Sequence, residues 1–237
     1  MKAIFIEKVQ VTPTDWSFRF QQPEGFKYKA GQYSVIRVPP MHEDYRNNVR
    51  TCSTSSSPTE EYLQFTFTIR NTGFKDTLMH MDRGFEVEIY PAVGKMTLED
   101  LPTEQLVMIA GGIGVAPYRG MIKYAFDTNM TGTKIKLLYS DKVLNEIAFR
   151  EEFDFIAASY SAFEPVYTLT RHDPSDGEWN GETGRIDSAF ISRYVEDIEN
   201  TKFMVCGPEQ MVRSGLLYLG ELGVPRERIA AELFTGF

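Results

Sequence analysis

The sequence predicts an all-β domain, a small antiparallel barrel or sandwich, followed by an α/β domain wound on a parallel sheet. Two observations carry this. Up to about residue 100, apolar residues recur with a period of two and turn residues follow at short intervals; beyond Leu101-Pro102, strand-like runs alternate with stretches of helical period. A third is the placement of two glycine clusters at the ends of strands in the rear half, where wound α/β sheets bind ligands. The expected domains are residues 1–101 and 102–237.

In the front half, Leu63, Phe65, Phe67 and Ile69 alternate with Gln64, Thr66, Thr68 and Arg70, the pattern of a half-buried strand. Val87 and Ile89 alternate with Glu86 and Glu88 in the same way. Val35, Ile36 and Val38 form a strand that Pro39-Pro40 ends, because proline lacks the ladder donor. Pro23-Glu24-Gly25, Ala30-Gly31, Arg83-Gly84 and Val93-Gly94 read as turns.

In the rear half, Leu106 to Ala110 is a buried strand. It leads through glycines to Pro117, which suits the first turn of a helix carrying Tyr118, Met121, Ile122, Ala125 and Phe126. Strand Ile135–Tyr139 precedes a helix expected to carry Leu144, Ile147 and Ala148. Strand Pro165–Thr170 precedes a polar loop, Arg171–Gly184, and a helix with Phe190, Ile191, Tyr194, Val195 and Ile198. Strand Phe203–Cys206 precedes a helix with Met211, Val212, Gly215, Leu216 and Leu219.

Composition excludes several classes. With 42% hydrophobic and 24% charged residues the chain builds an ordinary core, so a disordered tail or coiled coil is excluded. A formal charge of −8 with no dense basic patch argues against nucleic-acid binding. The longest nearly apolar run, Leu106 to Pro117, is too short and glycine-broken to span a membrane, and the stretch Met1–Val9 is too short for a signal sequence. Cys52 and Cys206 alone make neither a disulfide framework nor a four-cysteine cluster site. His42, His80 and His172 are isolated from metal-ligand spacing, and no Gly-x-Ser-x-Gly elbow is present. A cytoplasmic protein is expected.

Three clusters carry chemistry. In Gly111-Gly112-Ile113-Gly114-Val115-Ala116-Pro117, missing Cβ atoms let backbone N–H groups approach a pyrophosphate at a helix start. Cys206-Gly207-Pro208 makes a second such turn. Arg50-Thr51-Cys52-Ser53, continued by hydroxyls to Pro58, offers a guanidinium for a phosphate and donors for a polar ring.

In this order the clusters resemble the ferredoxin–NADP reductase family, in which a flavin-binding antiparallel β-barrel precedes a parallel-sheet nucleotide-binding α/β domain. Arg50-Thr51-Cys52-Ser53 resembles that family's Arg-x-Tyr-Ser/Thr, Gly94-Lys95-Met96-Thr97-Leu98 its Gly-x-Phe-x-Leu, Gly111 to Pro117 its Gly-Gly-x-Gly-x-x-Pro, Cys206-Gly207-Pro208 its Cys-Gly-Pro, and Glu232-Leu233-Phe234 its terminal Glu-x-Phe. The resemblance implies FAD as cofactor and NADPH or NADH as substrate. Arg50 would grip the flavin pyrophosphate, and Ser53 would hydrogen-bond near flavin N5. Gly73, Phe74 and Lys75, opening a helix, would hold the diphosphate, while Thr68, Ile69 and Arg70 would line the adenosine side. Gly112, Ile113, Gly114, Pro117, Gly207, Pro208 and Met211 would contact the nicotinamide nucleotide. Cys206 would sit beside nicotinamide C4, Glu232 would assist proton or electron movement, and Phe237 would cover the flavin face. Thr170 and Arg171 would receive a 2′-phosphate, whereas Asp141 would receive a ribose hydroxyl; the balance tips toward NADPH.

Two departures stand out: Cys52 takes the place of the tyrosine that stacks on flavin, and Lys75 that of the usual serine. The resemblance implies electron delivery to a separate one-electron carrier, namely ferredoxin, flavodoxin or an oxygenase component, by a monomer or homodimer; no nucleic-acid partner and no membrane span are expected. The alternatives are a free-flavin or ferric reductase, a flavin-binding subunit of a larger complex, and a relative that has lost flavin. Lys27, Lys29, Arg37 and Arg46 are candidates for a carrier-binding patch.

Overall fold

The computed structural model describes residues 1–39, 48–70 and 72–234. Its two compact units are Met1–Leu98 together with Ala116–Tyr124, and Glu99–Val115 together with the chain from Ala125 onward.

The first unit contains strands β1 (Lys2–Gln10), β2 (Asp15–Gln21), β3 (Tyr33–Arg37), β4 (Val49–Ser53), β5 (Tyr62–Thr68) and β6 (Glu86–Ile89). They form one antiparallel sheet in the order β4-β3-β6-β1-β2-β5. A bridge between Thr54 and Phe65 joins the two edges and closes the sheet into a barrel. The register of β1 on β2 shifts between Phe5 and Glu7, a bulge that bends β1 where its partners change. β6 shows the alternation its sequence predicts, with Val87 and Ile89 inside and both glutamates outside. β5 departs from it, since Gln64 and Thr66 are buried as well as Leu63 and Phe65. The segment following β4 covers that outer face: Ser55 N–H donates to the Gln64 carbonyl, and the Ser55 and Thr66 hydroxyls pair at 2.7 Å.

Inside, Phe5, Phe20 and Phe65 meet edge to face, with centroids 5.6 and 6.2 Å apart. Helix α1 (Gly73–His80) packs against this core through Phe74 and Leu78, with Thr72 as its N-cap.

The second unit is a six-stranded parallel sheet of β7 (Gln105–Gly111), β8 (Lys134–Asp141), β9 (Phe163–Leu169), β10 (Glu182–Thr183), β11 (Thr201–Pro208) and β12 (Ile229–Phe234). The order is β10-β9-β8-β7-β11-β12, so the winding reverses between β7 and β11. Helices α2 (Ala116–Asp127), α3 (Arg150–Ser159), α4 (Ser188–Tyr194) and α5 (Glu209–Glu221) connect the strands. β7 is buried on both faces, as a central parallel strand must be. Pro117 lies in the first turn of α2, as its missing N–H permits.

Three expectations need correction. Leu144 lies in a 3-10 turn and Ile147 and Ala148 in the loop beyond it, not in a helix; the helix begins at Arg150. The break is made by Phe149, at φ 60°, and by Ala148, whose N–H donates to the Tyr139 hydroxyl. The polar loop 171–184 contains the short strand β10, and Ile198 belongs to a 3-10 turn after α4 has ended.

Candidate functional site

In the barrel unit, Arg50 and Lys75, expected at the diphosphate, gather with Arg70, expected on the adenosine side, near the N-terminus of α1. Alternation along β4 turns Cys52 into the core, 3% exposed, and leaves Thr51 exposed. Arg50 is half-buried with its guanidinium 5.7 Å from the centre of the Phe74 ring. Phe74 is itself an anchor, edge-on to Phe67 at 5.9 Å, so its side chain fixes the helix start and leaves its backbone for any ligand. Partial burial, together with Arg70 and Arg50, lowers the Lys75 amine below its ordinary value. Three positive charges thus share one locality at a helix terminus whose dipole is also positive, with Asp15 offsetting part of their repulsion. Such an arrangement is unfavourable alone and favourable around an anion, so these residues fit the diphosphate of FAD.

Ser53 ends β4 half-buried, opposite Tyr33. Thr68 donates its hydroxyl to Asp15 at 2.5 Å, and the Ile69 N–H donates to the Thr14 carbonyl, which fixes the strand leading to the exposed Arg70. Asp15, buried and also bonded to the Thr12 hydroxyl, is a residue the sequence reading passed over. Its signal was local: Thr12-x-x-Asp15 is a side-chain-closed turn. Burial pushes the Cys52 thiol up, against the pull of Arg50 and Lys75, so it is a neutral core group.

In the α/β unit, the two glycine turns meet at the reversal between β7 and β11. A Cβ on Gly114 would lie 2.4 Å from the Gly207 Cα and 2.5 Å from the Cys206 carbonyl oxygen, so the two backbones touch. Gly111 and Gly207 both lie against Met211 of α5. Gly112 differs, with φ at 53° and open space where a Cβ would stand. That opening beside a run of N–H groups fits a nucleotide pyrophosphate. Ile113 is buried, packing the turn down onto the sheet.

Cys206 and Glu232 are neighbours on β11 and β12. The Cys206 side chain is fully buried, and burial, then the Glu232 carboxylate, raises its thiol. It is therefore a neutral core thiol and not a thiolate, and the side chain expected beside nicotinamide C4 has no exposed surface here. Pro208 is exposed at the start of α5.

Farther along the same strand ends, the two rival nucleotide determinants come together. The Thr170 N–H and hydroxyl both donate to the Asp141 carbonyl, at 2.9 and 3.2 Å, and the Arg171 N–H donates to the Lys142 carbonyl. The Asp141 carboxylate accepts from the Lys142 N–H and the Tyr139 hydroxyl. Arg171 is exposed. Phe237, Arg46 and His42 lie outside the described residues.

Among the described residues no helix is long and apolar enough to cross a membrane, and no cluster of histidine, cysteine and acidic residues has metal-binding geometry.

Residues 108–215 match the family model of the oxidoreductase NAD-binding domain. The plasma membrane-associated coenzyme Q6 reductase of Saccharomyces cerevisiae is 29% identical over 203 residues, covering 84% of this chain and 63% of that protein. The glycine betaine monooxygenase reductase subunit of Chromohalobacter salexigens is 26% identical over 201 residues, covering 83% of this chain and 53% of that protein. The chain thus spans between about half and two thirds of the length of these relatives. A solved ferredoxin NADP+ reductase from Neisseria gonorrhoeae with bound FAD and NADP superposes with a TM-score of 0.81 over 98% of both chains, at 22% identity. The closed barrel and the reversed parallel sheet are thus the fold of that ferredoxin NADP+ reductase, and residues 108–215 of the parallel-sheet half match the oxidoreductase NAD-binding domain.

Proposed function

We propose that this protein binds FAD on the barrel unit, accepts hydride from NADPH or NADH held at the glycine turns, and passes electrons to a separate one-electron carrier. The observation that carries the reading is the gathering of Arg50, Arg70 and Lys75 at the start of α1, in a chain that also carries an NAD-binding domain.

Arg50 and Lys75 neutralise the diphosphate, with the α1 N–H groups completing its hydrogen bonds. Ser53 offers a hydroxyl at the edge of β4 and orients the reacting edge of the ring. Gly112 would admit the nucleotide pyrophosphate, with Gly114 holding the turn against Gly207, while buried Cys206 forms the uncharged floor of the strand end beneath that turn. Glu232 on the adjacent strand takes or returns a proton. Flavin held there would supply a two-electron acceptor for hydride from nicotinamide C4, with oxidised nucleotide as the product, and a means of releasing the pair singly to the carrier. The protein's own contribution would be positional, holding the two groups rather than reacting with them.

Arg171 and Thr170 favour NADPH, and Asp141 beside them keeps NADH open. The acceptor we favour is ferredoxin, flavodoxin or an oxygenase component, in line with the name of the Chromohalobacter relative; the yeast relative's name makes a quinone the second reading. Both cysteines are free and buried, in keeping with the reducing cytoplasm.

The test is stopped-flow reduction of the purified flavoprotein. Ser53→Ala is expected to slow flavin reduction by about tenfold or more while flavin content is retained. An unchanged rate removes Ser53 from the reaction, and a colourless wild-type protein that takes up no added FAD removes the function.

A further inference from the structure

Helix α2 opens within the barrel's compact unit, and its fourth residue, Arg119, makes a forked ion pair with Glu60. The guanidinium lies 2.5 Å from Oε2 and 2.9 Å from Oε1, and it also donates to the Ser55 carbonyl at 3.1 Å. Both side chains are deeply buried, 6% and 9% exposed. The remaining acceptor capacity of Glu60 is taken by the Tyr62 hydroxyl at 2.6 Å and the Ser57 N–H at 2.7 Å. Burial pushes the carboxyl up, but Arg119 and these donors outweigh burial and hold it below its ordinary value, so the pair is ionised at neutral pH. Beside it, Gly120 is pressed against the same segment: a Cβ there would stand 2.5 Å from the Ser56 carbonyl oxygen.

Stability alone does not call for such a pair, since well-packed apolar residues of equal volume serve as well or better. A forked pair instead imposes a single geometry. Its two ends are tied to the two reacting segments by short lengths of chain. Arg119 follows Pro117 by two residues and Gly114 by five, and Ser55 follows Ser53 by two.

We propose that Arg119 and Glu60 are positioning residues, which lock the start of α2 onto the chain leaving Ser53 within the barrel's compact unit and so hold Ser53 in the orientation that flavin reduction needs. This rests on the FAD and NAD(P)H reading above. Neither residue touches the reacting atoms; they act through the orientation of Ser53.

The experiment compares wild type with Glu60→Gln and Arg119→Lys, which keep volume and much of the hydrogen bonding. Four quantities are read: flavin content, NADP+ affinity by difference titration, the long-wavelength charge-transfer absorbance on mixing with NADPH, and the limiting rate of flavin reduction. In both variants the limiting rate is expected to fall about ten- to a hundredfold and the charge-transfer band to weaken, while flavin content and NADP+ affinity stay close to wild type. Arg119→Lys, keeping the charge, is expected to lose less than Glu60→Gln. Hydrogen exchange reads the lock without turnover: amides of Ser55–Ser57 and Ala116–Tyr124 should exchange faster in both variants. A limiting rate and charge-transfer band equal to wild type in either folded variant overturns the proposal, as does a loss that merely tracks lost flavin. A wild-type protein that NADPH and NADH both fail to reduce overturns the functional reading instead.

Discussion

Lys75 carries its charge beside Arg50 and Arg70 and under partial burial, and its amine is correspondingly easier to deprotonate than an ordinary lysine near 10.5. A bound diphosphate reverses this by supplying opposite charge, so the amine rises again in the complex. Binding therefore takes up a proton at pH values between the lowered value of the free protein and the higher value of the complex. Affinity for FAD is expected to be full below the lowered value and to fall as pH rises through it toward 10.5. Lys75→Gln is expected to weaken FAD by about 1.5–3 kcal/mol at neutral pH and to flatten the alkaline decline. Flavin fluorescence titrations across that range check both; a variant with the wild-type pH slope shows that Lys75 does not face the phosphates. The neighbouring Cys52 adds nothing to this titration, because burial keeps its thiol neutral throughout.

The glycine turn after β7 makes a sharper test because its residues are required for different reasons. Gly114 has no room for a Cβ between the Gly207 Cα and the Cys206 carbonyl, and both are backbone atoms that cannot swing aside. Gly114→Ala is thus expected to destabilise the fold itself, by roughly 1–3 kcal/mol or more. Gly112 has open space, and its φ of 53° costs an alanine only about 1–2 kcal/mol, but the added methyl projects where a phosphate would approach. Gly112→Ala should therefore keep most of its thermal stability and lose nucleotide affinity, with the opposite order of effects for Gly114→Ala. Thermal melts with and without NADP+ separate the two, and equal losses in both variants would refute the assignment. Elements of this kind were legible in the sequence because their signals are local: a glycine run after an apolar strand, the Glu86–Ile89 alternation, Pro117 at a helix start. The start of α3 was not, since Leu144, Ile147 and Ala148 have helical spacing and the break depends on a hydroxyl from β8 and a left-handed Phe149. Nor was the burial of Gln64 and Thr66, or the Glu60–Arg119 pair, whose partners are 59 positions apart in sequence. Nonlocal polar pairing leaves no periodicity to read.

Across the whole molecule the dominant electrostatic fact is a formal charge of −8. Many of the cations are already matched by local acids: Lys2 with Glu86, Arg19 with Glu7, Arg37 with Glu88, Arg193 with Glu182, and Arg213 with Glu209. These exposed pairs add little stability, but they remove positive potential that would otherwise draw in an acidic partner. Of the four cations considered for carrier binding, Arg37 is thereby occupied. An acidic ferredoxin or flavodoxin would then approach against net repulsion, which salt relieves as the screening length shrinks to about 10 Å near 0.1 M. Turnover with such a carrier at limiting concentration is expected to rise between about 20 and 200 mM salt, while turnover with a cationic acceptor such as cytochrome c falls over the same range. The NADPH-to-flavin step, measured alone, controls for effects of salt on nucleotide binding. A rate with the acidic carrier that instead falls with salt would mean that a local basic surface steers the encounter, and the net charge would then be the wrong quantity from which to argue.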